Sequence, residues 1–365
     1  MAGLSTDKAA LDQYLEDPRF RQSFTLPPDP SRDRFEPLEV TYADFGYRNE
    51  ENPEEENVLL FFAPLMSSRL LHVGLDSLAK QHRVRIIDPD RPGFGGTTQV
   101  KDDMRMHVWA DVVPALLQHL GIQHVAVACH SGGTVYAMDT LLHHPEILHP
   151  ERPYLAIGAP WILPSRSGII TMSITQALPS SVLSHTDKVV SFVQTSLSPS
   201  LASSFGISQA AMKLFNTPNP NLDISPEDSP LAQWEEALEP RIVQHIHREG
   251  IPGISSESIV LMQKLGTSAW GTWKDYDELI PRLRAALRAA GRTLFIDTFF
   301  AESDSMIGDA CTEGPDWFDA CWKREDPQGP ISYSSSVIPD AEHDKIWTLR
   351  MGLPQKVLQR VGRED

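Results

Sequence analysis

The sequence predicts an α/β protein, in which a mostly parallel sheet is flanked by helices and interrupted late in the chain by a long helical insertion. Three observations carry this expectation. Apolar runs of strand length alternate with helix-forming stretches over short loops, the pattern of parallel strands joined by crossover helices. The run from Asn57 to Ala63 is continuously apolar after its first residue, as a strand buried on both faces requires. The alternation fails between about Leu163 and Gly271 and then resumes.

The chain of 365 residues can hold one large α/β domain with an inserted subdomain, or two modest domains, and can bury a sizeable core. Its formal net charge of −17 would repel phosphate backbones and anionic lipid, so no nucleic-acid partner is expected. No apolar run reaches membrane-spanning length, and the opening Met1 to Lys8 lacks the profile of a signal peptide. The default is therefore a cytoplasmic enzyme. Three cysteines, Cys129, Cys311 and Cys321, form neither a disulfide framework nor a zinc pattern; a Cys311–Cys321 bridge is conceivable, but reduced thiols are expected.

In order, residues 1–35 read as an N-terminal arm packed on the main domain, with a short amphipathic helix over Thr6 to Leu15 and a stop at Pro27-Pro28-Asp29-Pro30. Pro37 to Tyr47 alternates as an antiparallel edge strand does, and Glu50 to Glu56 is an acidic turn. After the Asn57–Ala63 strand and its break at Pro64, a helix through Leu71 to Lys80 leads to the strand Val84–Ile87. The turn Asp88-Pro89-Asp90-Arg91-Pro92-Gly93-Phe94-Gly95 follows, with Arg91 expected to pair Asp88 or Asp90, then a helix over about Met104 to Leu120. Arg152 to Trp161 is the next strand.

The insertion carries helical pieces at Ile170–Leu178, Lys188–Gln194, Ala210–Phe215, Leu231–His247 and Ser256–Leu265, separated by Pro, Ser and Asn clusters. It reads as a lid over the carboxyl end of the sheet. Met172, Leu178, Phe192, Phe205, Met212, Phe215, Met262, Trp270 and Trp273 supply its own core. Some of them, with Trp161 and Met66, would line an apolar pocket. Beyond it follow a helix (Tyr276–Ala290), a strand (Thr293–Phe300), a helix through Trp317–Trp322, a strand (Ile331–Ile338) and a last helix over about Lys345 to Val361.

The stretch from His124 to Ala137 is a strand that stops at Ser131, passes Gly132 and Gly133, and continues as a helix. A serine at such a turn projects its hydroxyl above the sheet, and the amide of Gly132 opens a helix that faces any oxygen beside it. The same stretch could be an ordinary strand-to-helix connection. Two further loops follow late strands on the same face: Ala301 to Ile307, carrying Asp304, and Pro339 to Asp344, carrying His343. His343 would take the Ser131 proton and deliver it to a leaving group, while Asp304 fixes the imidazole tautomer. A second oxyanion donor should come from the loop after Phe62, where Pro64 has no N–H and Leu65 is the first candidate, with Met66 next if the register differs by one. The rivals of Asp304 are Glu302 and Asp309, read as solvated, and Asp297, inside its strand.

Other features take plainer readings. His130 packs under the turn. His245 and His247 point apart on a predicted helix and read as a solvated face, as do Asp102-Asp103 and Glu235-Glu236. Gly93-Phe94-Gly95-Gly96 opens no helix and lacks the spacing of a dinucleotide fingerprint. No metal and no cofactor are expected.

Taken together, the motifs Cys129-His130-Ser131-Gly132-Gly133, Asp88 to Gly95, Glu302-Ser303-Asp304 and Ile338 to His343 make the chain resemble the α/β-hydrolase superfamily, in the branch of esterases, C–C hydrolases and haloperoxidases. The resemblance covers roughly residues 36–160 and 275–360. It implies the α/β-hydrolase fold, with a mostly parallel eight-stranded sheet and an inserted helical lid at 163–271 between core segments 36–162 and 272–365. It also implies Ser131 as nucleophile, Asp304 as acid and His343 as base. The sequence departs from the family pattern twice, with Ala63-Pro64 where His-Gly is usual and Cys129 in place of the first glycine of the elbow. The function expected is hydrolysis through a Ser131 acyl-enzyme of a small, mainly apolar ester, thioester, lactone or ketone-activated C–C bond. The alternative is a ligand-binding protein or non-hydrolytic biosynthetic catalyst on the same fold. Oligomeric state leaves no signal in the sequence.

Overall fold

The structure, a computed structural model, describes residues 5–177, 229–266, 270–323, 326 and 328–362. Its centre is one eight-stranded sheet in the order β1-β2-β4-β3-β5-β6-β7-β8. The strands are β1 (Gln22–Leu26), β2 (Leu38–Gly46), β3 (Asn57–Phe62), β4 (Val84–Pro89), β5 (Ala126–Ser131), β6 (Tyr154–Pro160), β7 (Leu294–Ser303) and β8 (Ile331–Glu342). β2 runs antiparallel to β1 and β4, and every pairing from β4 to β8 is parallel.

Burial along the strands follows their place in the sheet. β4, β5 and β6 are buried at every residue, whereas β1 alternates at one edge and β8 stays half open at the other. Phe61 and Phe62 of β3 are almost wholly enclosed, each burial contributing about 1.5–3 kcal/mol. β1 lies inside residues 1–35, read from the sequence as an arm packed on the main domain, and its residues 22–26 extend the sheet.

Helices cover both faces: Asp76–Gln81, Arg105–His119, Gly133–His143, Tyr276–Ala289, Glu313–Trp322 and Leu353–Gly362. Two of these are shorter than the sequence suggested. The helix expected from Leu71 begins only at Asp76, after a 3-10 turn at Val73–Leu75. The last helix begins at Leu353 rather than Lys345. Gly352 sits in the left-handed region at φ 71° and Pro354 occupies the first turn, so the helix can start only there.

The insertion leaves the sheet after β6. Its described helices are Pro164–Ser167, Ile170–Ala177, Pro230–Glu249 and Ile254–Leu261. The pieces anticipated at Lys188–Gln194 and Ala210–Phe215, and the side chains of Leu178, Phe192, Phe205, Met212 and Phe215, lie outside the described residues. Tyr276 Oη donates to Trp161 O at 2.7 Å and closes the base of the insertion. Trp273 Nε1 donates to Asp139 Oδ1 at 3.1 Å, tying that base to the helix after Ser131.

The N-terminal helix Lys8–Leu15, capped by Asp7, packs on the inserted helix Pro230–Glu249. Arg241 donates twice to Asp12 at 2.7 Å, and Tyr14 meets Trp234 edge-on with centroids 4.9 Å apart. His245, expected on a solvated face, is instead buried there, its Nδ1 3.2 Å from Arg21 Nη2. Glu235 is also drawn in: its carboxylate accepts from the Leu349 amide at 2.7 Å, and burial pushes its pKa up to about 7. Both corrections have one cause, namely that the polar face of this helix is covered by the N-terminal helix and by the chain after β8.

Candidate active site

Ser131 ends β5 with φ 49°, in the left-handed region that a side chain enters only under constraint. The constraint is the sharp reversal into the helix Gly133–His143, marked by a register shift between His130 and Ser131 in the β5–β6 ladder. A Cβ on Gly133 would sit 2.1 Å from Phe62 O and 2.7 Å from Ala63 O, so only glycine allows the helix to pass β3 so closely. Two places before the serine no such limit applies. Cys129 is buried with its Sγ 3.8 Å from Thr134 Oγ1, and burial pushes its thiol up to about 12, keeping it protonated.

His343 and Asp304 follow the carboxyl ends of β8 and β7 and arrive beside Ser131. His343 Nε2 lies 2.8 Å from Ser131 Oγ, and its Nδ1 lies 2.7 Å from Asp304 Oδ2. An ionised Asp304 can only accept, so Nδ1 carries the proton and the Nε2 lone pair faces the serine hydroxyl. Asp304 is held by the Met306 and Ile307 amides, which donate to Oδ1 at 2.9 and 3.0 Å. Burial pushes the His343 imidazole down, but the charge and hydrogen bond of Asp304 outweigh it, and its pKa stands above the ordinary histidine value.

The rivals of Asp304 have other partners. Asp309 accepts from the Asp304 amide at 2.8 Å, Glu302 accepts from the Asp340 amide at 2.8 Å, and Asp297 pairs with Arg360. His130 is buried behind the site with its Nε2 2.9 Å from His343 O. Burial, with the neighbouring His343 and His72, holds its pKa well below the ordinary value, so it stays neutral and can donate to that carbonyl.

The loop after β3 brings Leu65 next to the helix start. The Leu65 nitrogen lies 3.5 Å from where a Cβ on Gly132 would be, so the two amides nominated from sequence are neighbours. Met66 is buried, with φ 63°. Arg91 does not pair with Asp88 or Asp90 as expected. Asp90 is taken by Arg69, at 2.6 Å, and Asp88 by His72, at 3.1 Å, while Arg91 reaches across to Glu257 of the inserted helix. Arg69 thus takes the Asp90 partner that sequence adjacency assigns to Arg91. The reason is that Arg69, also accepted by Phe20 O and Gly95 O, already occupies the turn.

A cavity of about 60 Å³ lies on the His130 side of these groups, with Leu65, Met66, Leu71, Val243 and Ile246 as its apolar lining and Ser67, His247 and Asp344 among its polar lining; Ser131, Asp304 and His343 are not part of its wall. A Glu239–Lys345 ion pair stands at its rim. Leu261 also reaches the site, its Cδ1 2.8 Å from the position of a Gly132 Cβ. Trp161, expected to line a pocket, is buried with its Nε1 donating to Leu261 O at 3.3 Å and so supports that residue from behind. Among the described residues no group of three or more His, Cys, Asp or Glu is arranged to hold a metal, all three cysteines are free thiols, and no helix is long and apolar enough to cross a membrane.

The strand order, the antiparallel β2 and the strained serine at the end of β5 define the α/β-hydrolase fold. Solved structures agree. The chain is similar to the enol-lactonase of Burkholderia xenovorans LB400, at 12% identity over 93% of this chain and 100% of that one, with a TM-score of 0.55. It is likewise similar to an epoxide hydrolase of Vigna radiata, at 17% identity over 93% and 97% with a TM-score of 0.53, and to a thermophilic esterase of Thermogutta terrifontis, at 15% over 94% and 100% with a TM-score of 0.52. No protein-family model and no curated protein matches the sequence.

Proposed function

We propose that the protein is a serine hydrolase in which Ser131 attacks a carbonyl carbon, His343 accepts the hydroxyl proton and returns it to the leaving group, and Asp304 stabilises the imidazolium. The observation that carries this reading is the continuous relay from Ser131 Oγ through both ring nitrogens of His343 to Asp304. A serine hydroxyl is a weak nucleophile until a base takes its proton, and the raised pKa of His343 suits that task near neutral pH. The Gly132 and Leu65 amides would hold the tetrahedral oxyanion, and water would then release the acyl group by the same route in reverse.

The apolar side chains Leu65, Met66, Val243 and Ile246 in the cavity next to the site support a small, mainly apolar substrate: an ester, thioester, lactone or ketone-activated C–C bond. The inserted helix Pro230–Glu249, which contributes Val243 and Ile246 to this cavity, would act as its lid. A fluorophosphonate probe should label Ser131, and a panel of esters, thioesters, lactones and diketones should separate the bond types. A folded protein that takes no label would refute the covalent step and favour a ligand-binding role.

A further inference from the structure

The loop that would stabilise an oxyanion presents two backbone carbonyls, and one side chain holds both. Arg91 Nη1 donates to Ala63 O at 2.5 Å, and Nη2 donates to Pro64 O at 2.7 Å. Pro64 O and Leu65 N belong to one peptide unit, which is planar and trans, so its C=O and N–H point in opposite directions. Fixing the carbonyl on Arg91 therefore fixes the Leu65 N–H to point away from Arg91. The cation also polarises that peptide and makes its N–H a stronger donor.

Arg91 is buried and cannot shed its charge, so it requires an equally buried counter-charge. Glu257, fully enclosed, supplies it: Oε2 accepts from Arg91 Nε at 2.9 Å and Oε1 lies 2.6 Å from Nη2. Arg105 Nη2 makes a second contact to Oε2 at 2.8 Å, and Arg105 Nη1 donates to Pro92 O at 2.7 Å. The rings of Tyr136 and Phe94 face the Arg91 guanidinium at 5.0 and 5.6 Å.

Glu257 stands in the first turn of Ile254–Leu261, and the start of that helix is fastened to the same region. The Gly253 amide donates to Gly93 O at 2.8 Å, and a Cβ on Gly253 would lie 2.5 Å from Pro92 O. The inserted helix thus approaches the β4 turn as closely as backbone can. Its docking, the counter-charge and the two carbonyls form one connected unit.

We propose that Glu257 is a positioning residue that acts through Arg91 to aim the Leu65 N–H, so that the inserted segment completes the oxyanion hole as well as covering the cavity. The inference rests on the serine-hydrolase reading. Without the carboxylate, two buried guanidiniums share one site and repel, and Arg91 leaves the carbonyls it holds.

The test is steady-state hydrolysis of a short-chain p-nitrophenyl ester by the full chain, with thermal unfolding measured alongside. The variants are Arg91→Lys, Glu257→Gln and, as a distant buried ion-pair control, Arg85→Lys, whose partners are Asp44 and Glu56. Misplacing one oxyanion donor should lower kcat about 10- to 100-fold for Arg91→Lys and Glu257→Gln, with KM within about threefold of wild type. Arg85→Lys should lower Tm and leave kcat in place. If Glu257→Gln does not fold, Glu257→Asp, which keeps the charge but withdraws it by about 1.5 Å, replaces it under the same criteria. A kcat within about threefold of wild type in both folded variants, or an equal loss in Arg85→Lys, overturns the proposal. An active wild type with unaffected variants refutes the positioning alone, whereas a wild type that hydrolyses nothing and takes no fluorophosphonate refutes the hydrolase reading and the proposal with it.

Discussion

Gly133→Ala isolates the physical reason for a glycine two places after Ser131. The added Cβ would lie 2.1 Å from Phe62 O and 2.7 Å from Ala63 O, both backbone atoms, so no rotamer change relieves the contact. The helix or the end of β3 must shift by about 1 Å, and overpacking of this kind costs about 1–3 kcal/mol. Two backbone collisions put the cost near the upper end. The better helix propensity of alanine returns less than about 1 kcal/mol at a first-turn position, leaving a net loss of about 2 kcal/mol. With a urea slope of about 3 kcal/mol per molar, the unfolding midpoint should fall by roughly 0.7 M. Gly132→Ala provides the contrast. Its Cβ would meet Leu261 Cδ1 at 2.8 Å, the end of a flexible side chain that can turn away, so the midpoint should move by less than about 0.3 M. Equal midpoints for Gly133→Ala and wild type, or equal losses in the two variants, would refute the close-approach argument.

Other outcomes follow from the same contacts. Asp304→Asn removes the charge and can present an amide N–H to His343 Nδ1, which favours the wrong imidazole tautomer, so kcat should fall by about 10⁴ in stopped or continuous assays while the fold persists. Because Asp304 raises the His343 pKa, the acid limb of kcat/KM in the wild type should lie above the ordinary histidine value; a limb below it would contradict the paired arrangement. Asp139 is pushed up to about 6 by burial, against an ordinary 3.8. Its raised value means that the protonated form suits the fold, so stability is fully present below about pH 4 and declines as pH rises toward 6. Asp139→Asn keeps an acceptor for Trp273 and should abolish that decline, gaining on the order of 2–3 kcal/mol at pH 7 relative to wild type in denaturant titrations. A variant as pH-sensitive as the wild type would place the titration elsewhere.

How much of this was legible in the sequence depends on the range over which each feature is determined. The sheet was legible because buried parallel strands leave continuous apolar runs such as Val58 to Ala63, and the site because Ser131, Asp304 and His343 each stand at or directly after the carboxyl end of a strand. A strand end fixes where a side chain emerges, so the sequence could nominate residues that the fold brings together. Ion-pair partners were not legible. Arg91 stands beside two aspartates yet meets Glu257, because partner choice is settled by the docking of a helix more than 150 residues away. The one sequence sign was a lone carboxylate in the otherwise small and apolar run Ile254 to Leu261, every residue of which is buried. The burial of His245 and the partial enclosure of Glu235 were equally hidden, since a polar helical face looks the same whether it meets water or another helix.

The most direct measurement is the mass of the protein itself during turnover. Rapid acid quench of the full chain mixed with a slowly hydrolysed activated ester should yield a species heavier by one acyl group, mapped by peptide fragmentation to Ser131 and absent in Ser131→Ala. Turnover of that ester at an undiminished rate by Ser131→Ala, or an acyl group found on another residue, would contradict the account.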